Sequence, residues 1–296
     1  MSDQKYLLGL DLGGTSVKAV AVTPEGKTLG TYNRPFELAK PMAFAACAAE
    51  VVAFALEDWG KPERIGLSAP GIANKEGSAI AHMPSRFHGL EGFNWGQHFK
   101  RKEGVKVLND AQAALLGEVW LGAARGSWDV VLITLGTGVG GAAMVDGQLL
   151  RGHTGKAGHF GHVSLDPART ADICGMPGSL EDAIGNHNIV ARSGGRFATT
   201  LDLIKAAMQG DAGATEIWRR SIRALAAAIA SLGNVLDPEV VIIGGGIAGS
   251  GPLLFKPLNE FLATMEWRPG GQSMRVVPAA LSDLAGAYGA AWNTYR

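Results

Sequence analysis

A glycine-rich strand-turn-strand unit occurs twice in this chain, as LLGLDLGGTSVKAVAVTPEG from Leu7 and as VLITLGTGVGGAAMVDG from Val131. A shift of 123 positions (135 − 12) lays Leu12 on Leu135 and Gly13 on Gly136. In each copy an apolar run enters a Gly/Thr turn and an alternating run leaves it, the pattern of a hairpin whose backbone amides stay open to an anion. Two such turns predict two related lobes that hold a nucleotide's phosphates between them.

Composition sets the outer limits. The 296 residues, 47% hydrophobic, suffice for a large core and approach the size at which single cores divide, so two domains are expected. Lys plus Arg equals Asp plus Glu at 27 each, which leaves no global positive field for a nucleic-acid backbone or an anionic membrane. Cys47 and Cys174 are the only cysteines, too few for a disulfide framework, and the start MSDQKYLLGLD carries no cleavable apolar segment. The apolar stretches 130–145 and 240–247 are broken by Gly and Thr and fall short of the roughly 20 residues of a membrane span. A cytoplasmic address is expected, with neither nucleic acid nor membrane as partner.

Periodicity predicts a meander of three strands over 7–11, 17–22 and 28–32, a helix over 41–59 and a returning strand over 64–68. A polar, turn-rich stretch follows to Gly96. A short strand, 105–108, leads into a helix over 111–124. The second hairpin, 131–147, turns back at Asp146-Gly147. Helices are predicted over 180–193, 200–208 and 214–233, the last ended by Gly233. A buried strand, 240–243, meets Gly244-Gly245-Gly246 and another helix, with a last strand at 276–277 and a closing helix over 284–295.

Asp11 stands where the first strand meets its glycine turn, a place where a carboxylate holds magnesium beside phosphates or merely steadies its own turn. Gly13, Gly14 and Thr15 following at once favour the first role. Lys18 reads as solvated or pairing locally. Gly136, Gly138 and Gly141 fit G-x-G-x-x-G, but a strand rather than a helix follows them, which removes the Rossmann reading. Gly155-Lys156 is followed by Ala157, so no Walker loop is present.

Asp110 ends a strand and precedes a helix. Its two readings are an ordinary N-cap and a general base that accepts a hydroxyl proton as phosphorus is attacked. His153, His159 and His162 crowd one loop near Asp172 and Cys174, without paired-cysteine or HExxH spacing. Trp59, Trp120 and Trp218 read as core or interface anchors.

Taken in order, LGLDLGGTSVKAVAV, LSAPGI, VLNDAQAALLGE, TLGTGVGGA, GKAGHFGH, VVIIGGGIA and LAGAYGAAW resemble the ROK family of sugar kinases, within the actin-like ATPase superfamily, over essentially the whole chain. The resemblance implies an α/β fold of two actin-like (ribonuclease H-like) lobes with a nucleotide and sugar cleft between them. The smaller lobe would hold 1–111 plus 282–296 and the larger 112–281. ATP and Mg²⁺ are the implied cofactors. Asp11 would be the magnesium-side carboxylate, Gly13, Gly14, Thr15, Gly136, Thr137 and Gly138 the phosphate cradle, and Gly244, Gly245 and Gly246 would lie against the adenosine. Gly71, Asn109 and Asp110 fall on the sugar side, with Asp110 the base. His162 and Glu181 also match sugar-side positions, and a homodimer is implied.

The chain departs from the family pattern where sugar is chosen. Typical members carry Ala-Gly-Glu-x-Gly-His, and this chain has Ala157-Gly158-His159-Phe160-Gly161-His162. An acceptor-only carboxylate has become an imidazole, so glucose is not assumed. The usual Asn-x-Pro element falls on His82-Met83-Pro84, followed by a polar segment in which Arg86 and His88 read as a solvated loop or as contacts to an acidic or phosphorylated sugar. The family's zinc ligands, one His and three Cys, fall on His162, Asp172, Cys174 and Ser179, so no structural zinc is expected. The chain starts on its first strand with no helix-turn-helix ahead of it, which together with the zero net charge argues against DNA binding. The reading that follows is an ATP-dependent kinase for a hydroxyl, the 6-hydroxyl, of a hexose or hexose derivative. The alternatives are a sugar-binding sensor or degenerate kinase of the same fold, and a kinase for a non-hexose polyol.

Overall fold

The structure, a computed structural model, describes residues 5–83 and 87–296. The first half of the chain forms β1 (Leu7–Leu12), β2 (Ser16–Val22), β3 (Thr28–Pro35), α1 (Ala43–Trp59), β4 (Arg64–Ala69), β5 (Ile72–Ala73), β6 (Ile80–His82), α2 (Trp95–His98), β7 (Lys106–Asn109) and α3 (Asp110–Leu121). The second half forms β8 (Val130–Leu135), β9 (Val139–Val145), β10 (Gln148–Leu149), α4 (Leu180–Ile184), α5 (Ile189–Arg192), α6 (Thr200–Met208), α7 (Ala212–Leu236), β11 (Val240–Gly244), α8 (Pro252–Met265), β12 (Arg275–Pro278) and α9 (Ala285–Asn293).

The repeat seen in the sequence is a repeat of topology. One five-stranded sheet runs β3-β2-β1-β4-β7 and the other β10-β9-β8-β11-β12. In each, an antiparallel meander is extended by two parallel strands. The β9–β10 hairpin turns on Asp146 and Gly147, both with positive φ, as its Asp-Gly pair requires.

The chain divides into two compact units. One holds the described residues up to Gly126, with Arg151–Ala157 and Ala280–Arg296, and the other holds Ser127–Leu150 and Gly158–Ala279. The expected boundary at 111/112 is therefore corrected: α3 belongs with the first unit. The reason is its packing on α9, where a Cβ on Gly117 would strike the Ala285 carbonyl and one on Gly289 would strike the Ala113 carbonyl. Trp120 and Trp292 stack across the same pair of helices, 6.0 Å between centroids.

Period-2 geometry splits the side chains of β1 between two faces. Leu8, Leu10 and Leu12 enter the core beneath α1, while Leu7 packs with Ala287 and Ala291 of α9. On that second face Gly9 lies beside Gly66 of β4, and a Cβ on either would collide with the backbone of α9. Backbone thus meets backbone, as small residues alone allow. Glu118 of α3 is fully buried, and its carboxylate accepts from the amides of Ala123, Ala280 and Leu281 at 2.7–3.0 Å. It pins the chain entering α9.

Four sequence expectations are corrected. Gly233 does not end α7, which runs to Leu236 and stops at Asp237 in the left-handed region; Gly233 instead leaves room for the Met274 side chain. The predicted helix 180–193 is broken at Gly185, whose extended backbone separates α4 from α5. The stretch to Gly96 is structured by the β5–β6 pair and by Phe87, Leu90 and Trp95, buried around Phe44; Pro84, Ser85 and Arg86 lie outside the described residues. Lys18 does not pair locally but meets Asp283, 265 positions away, at 2.7 Å.

Candidate functional site

In the first unit the carboxyl ends of β1, β4 and β7 share one sheet edge, where parallel α/β sheets place their ligands. Asp11 closes β1 on the face covered by α9. Its Oδ1 accepts from Ser68 of β4 at 2.5 Å, and a Cβ on Gly286 of α9 would fall within 2.7 Å of its carboxyl. Burial pushes the Asp11 carboxyl up to about 6 against the pull of the Ser68 hydrogen bond, and the nearby charge of Asp110 adds to the rise. The turn beyond Asp11 is held by Gly13 N–H donating to Ser16 O at 2.9 Å and Phe36 N–H donating to Thr15 O at 2.9 Å. Among the described residues, Gly14 and Thr15 donate their own amides to no acceptor in the chain. Open donors of this kind suit a phosphate.

Asn109, not Asp110, is the N-cap of α3, which corrects the simpler reading of Asp110. The Asn109 Oδ1 accepts from the amides of Ala111 and Gln112, and its Nδ2 donates to Gly71 O at 3.0 Å and to Asp110 Oδ1 at 2.8 Å. Gly71 reaches this position with φ 101°, where a Cβ would strike the His82 carbonyl. Asp110 is the exposed first residue of the helix, its Oδ1 accepting also from Ala111 N–H at 2.8 Å. Asn109 and Asp110 thus share the start of α3, the first as its cap and the second with its side chain exposed.

In the second unit β8 and β11 run parallel with Gly244 opposite Thr134, so the turns Gly136–Gly138 and Gly244–Gly246 lie side by side at one edge. Gly245, with φ 84°, sits against the backbone of Leu135, where no side chain fits. Glu181 of α4 accepts from Val139 N–H at 2.7 Å, and its carboxylate fills the space a Cβ on Gly138 would need. The break at Gly185 has a purpose here. It lets Asn186 N–H donate to Gly136 O at 3.0 Å and His187 N–H donate to Thr137 O at 2.9 Å, which props the turn from behind.

The loop with His159 and His162 is fixed by its glycines. A Cβ on Gly158 or Gly161 would strike the backbone of β9, and Phe160 is buried. His159 precedes the short 3-10 turn Phe160–His162, partly exposed beside β9. His162, Asp172 and Cys174 come together with ligand atoms within 4.8 Å of one another, and His153 and His159 are not among them. They bond to each other: His162 Nδ1 to Asp172 Oδ2 at 2.7 Å, and Cys174 Sγ to His162 Nε2 at 3.4 Å. Asp172 Oδ1 accepts from the amides of Cys174 and Met176 at 2.8 and 3.0 Å. Burial acts to raise the Asp172 carboxyl, but the bonds from His162 and the two amides outweigh it and hold the group down at about 2. Buried Ser179 caps α4, its hydroxyl accepting from Asp182 N–H at 3.2 Å, and its side chain also helps to hold the Asp172 carboxyl down.

Ser68, Gly286, Glu118 and His187 escape a reading of the sequence alone. Of these only Gly286 leaves a signal, as a glycine inside an alanine-rich helix.

Two units of this topology, each with glycine turns at a sheet edge, define an α/β protein of the two-lobed actin-like ATPase class. The model for the ROK family matches residues 7–295, and the chain belongs to that family. It is 32% identical to a glucokinase of Thermotoga maritima over 306 aligned positions, covering 96% of each chain. The ROK hexokinase of Thermus thermophilus superposes with a TM-score of 0.84 at 29% identity, over 98% of both chains. A ROK glucokinase of Streptomyces griseus, solved with glucose and AMPPNP, superposes at 0.77 and 29% identity over 97% of this chain and 98% of that one.

The raised Asp11 carboxyl predicts a pH-dependent gain in stability for Asp11→Asn. Because the folded-state pKa lies above the unfolded value, the cost of the buried charge is absent below about pH 4 and complete above about pH 6. In metal-free buffer the variant should melt above wild type at pH 7.5, the gain vanishing near pH 4. A variant less stable at pH 7.5 would contradict the burial of this charge.

Proposed function

We propose that the chain transfers the γ-phosphoryl group of ATP to a hydroxyl, the 6-hydroxyl, of a hexose or hexose derivative. The observation that carries the reading is the pairing of Asn109 with Asp110: Asn109 caps α3 and holds the Asp110 Oδ1, and the Asp110 side chain stands exposed at the helix start. Asp110 is the base that accepts the hydroxyl proton, and Asn109 and Gly71 fix its orientation. The open amides of Gly14 and Thr15 and the turn Gly136–Gly138 bind phosphate oxygens, and Gly244–Gly246 leaves room for the adenosine. Phosphoryl transfer asks for such positioning more than for covalent chemistry.

Asp11, a hard oxygen donor held in a desolvated setting, fits magnesium. When bound there, the ion would neutralise charge on the phosphates. Glu181 binds a sugar hydroxyl through Oε1 while its Oε2 holds Val139, and His159 and His162 contribute imidazole groups to the selection of the sugar. An imidazole in the place of a carboxylate shifts preference toward a sugar bearing an acceptor or a negative group. The 162–179 loop is read as organised without zinc, since His162, Asp172 and Cys174 bond to one another and to the loop amides and include one thiol where a structural site would use several. Metal analysis of purified protein finding stoichiometric zinc would overturn that reading.

Among the described residues no helix is long and apolar enough to cross a membrane. The proposed partners are ATP, a small sugar and a second copy of the chain, in the cytoplasm. A sugar sensor without turnover is the competing reading, motivated by His159. Asp110→Ala separates them: kcat should fall about 10²- to 10⁴-fold with AMPPNP affinity retained. Near-normal turnover would remove Asp110 as the base.

A further inference from the structure

The second unit contains a cavity of about 390 Å³, bounded by the 165–170 loop, α4, α5 and α7. None of the residues assigned above to ATP or sugar lines it. Its charged lining consists of Arg169, Arg192 and Arg220 against Asp166 and Asp182, an excess of one positive charge.

The three guanidinium groups are unequally satisfied. Arg169 pairs with Asp166 at 3.3 Å in an exposed contact. Arg192 donates through Nη1 to the carbonyls of Asp182 and Gly185 and through Nη2 to that of Ile184, closing the end of α4. Its Nε is buried without a hydrogen-bond partner, and burial draws the guanidinium down to about 10 despite the Asp182 charge. Arg220 is exposed and makes no ion pair or hydrogen bond among the described residues. Arg220 thus brings an unspent guanidinium to the cavity, the planar group that phosphate and carboxylate oxygens satisfy in pairs, while Arg192 is tied to the end of α4 and adds its charge. The volume lies in the range of small-molecule sites, about 300–1,000 Å³.

The cavity also has a mechanical link to the phosphate turn. Asp182 lines it, and the Asp182 Oδ1 is bonded to His187 Nε2 at 2.9 Å. His187 in turn holds Thr137 O through its backbone amide at 2.9 Å, with the ring Nδ1 3.1 Å from the same oxygen. On the same five-residue helix, Glu181 grips Val139. We propose that this cavity is an effector site for a small phosphorylated metabolite, held by Arg220 and Arg169 over the charge of Arg192, whose occupancy is passed through Asp182 and His187 to the Gly136–Gly138 turn. The binding claim stands by itself, whereas the transmission rests on the proposed role of that turn in holding ATP.

The test is calorimetric titration of the full chain with 3-phosphoglycerate, a phosphorylated acid with no sugar ring, before and after saturation with AMPPNP and Mg²⁺. AMPPNP affinity is measured separately, so failure of the ATP reading is seen on its own. The expected result is saturable binding that survives AMPPNP and weakens about tenfold or more in Arg220→Gln, the scale of one lost charge-assisted bond. Arg169→Gln, also on the surface, serves as a second variant should the first not fold. Absence of binding, binding displaced by AMPPNP, or binding indifferent to both variants overturns the site. By reciprocity, 3-phosphoglycerate should shift AMPPNP affinity by the same factor as the converse; an unchanged affinity overturns the transmission.

Discussion

The embedding of α9 in the first unit is the constraint on which the remainder of the site depends. A helix that approaches a sheet to backbone contact needs glycine wherever a Cβ would intervene, and Gly9, Gly66, Gly117, Gly286 and Gly289 meet that need from four different elements. Because the last helix of the chain lies on β1 at this distance, its Gly286 covers the Asp11 carboxyl and removes water from it. Glu118 then locks the approach to α9 with its buried carboxylate. The C-terminus of the chain therefore determines the electrostatics of a residue near its N-terminus.

That desolvation costs stability, since a carboxylate pushed up toward 6 is a poor resident charge at neutral pH. Asp110 is treated oppositely: it is exposed, and the Asn109 cap takes over the structural task that an Asp at a strand-to-helix junction ordinarily performs. Two carboxylates of one sheet edge are thus set apart by environment. In the second unit the equivalent edge carries no acid at the end of β8, where Leu135 follows Thr134, and offers glycine turns propped by Glu181, Asn186 and His187 instead. A duplicated topology has divided its labour.

Much of this was legible in the residues. The two glycine hairpins announced the repeated sheet because the period-2 pattern and the turn chemistry agree with each other on both sides of each turn. Asp11, Asn109 and Asp110 stood out because each sits where a strand ends. What stayed hidden depended on contacts distant in sequence. Nothing around Lys18 points to Asp283, and nothing around Glu118 points to the amides of 280 and 281. Gly233 misled because a glycine late in a helix reads as a stop, whereas here Met274 packs against it. Gly185 misled in the other direction, since the apolar spacing of 180–193 continues across a break that lets Asn186 and His187 hold the Gly136–Gly138 turn. The lobe boundary was misplaced for the same reason: the partner of α3 lies more than 160 positions further along.

Phosphoryl transfer to a sugar is tested most directly by coupled ADP release with magnesium and ATP over hexoses, N-acetylhexosamines, amino sugars and sugar acids. ADP released in proportion to one of these sugars, and at background rate without it, is the predicted result. A sugar that binds saturably while ADP release stays at background would contradict that transfer and leave the chain a sensor.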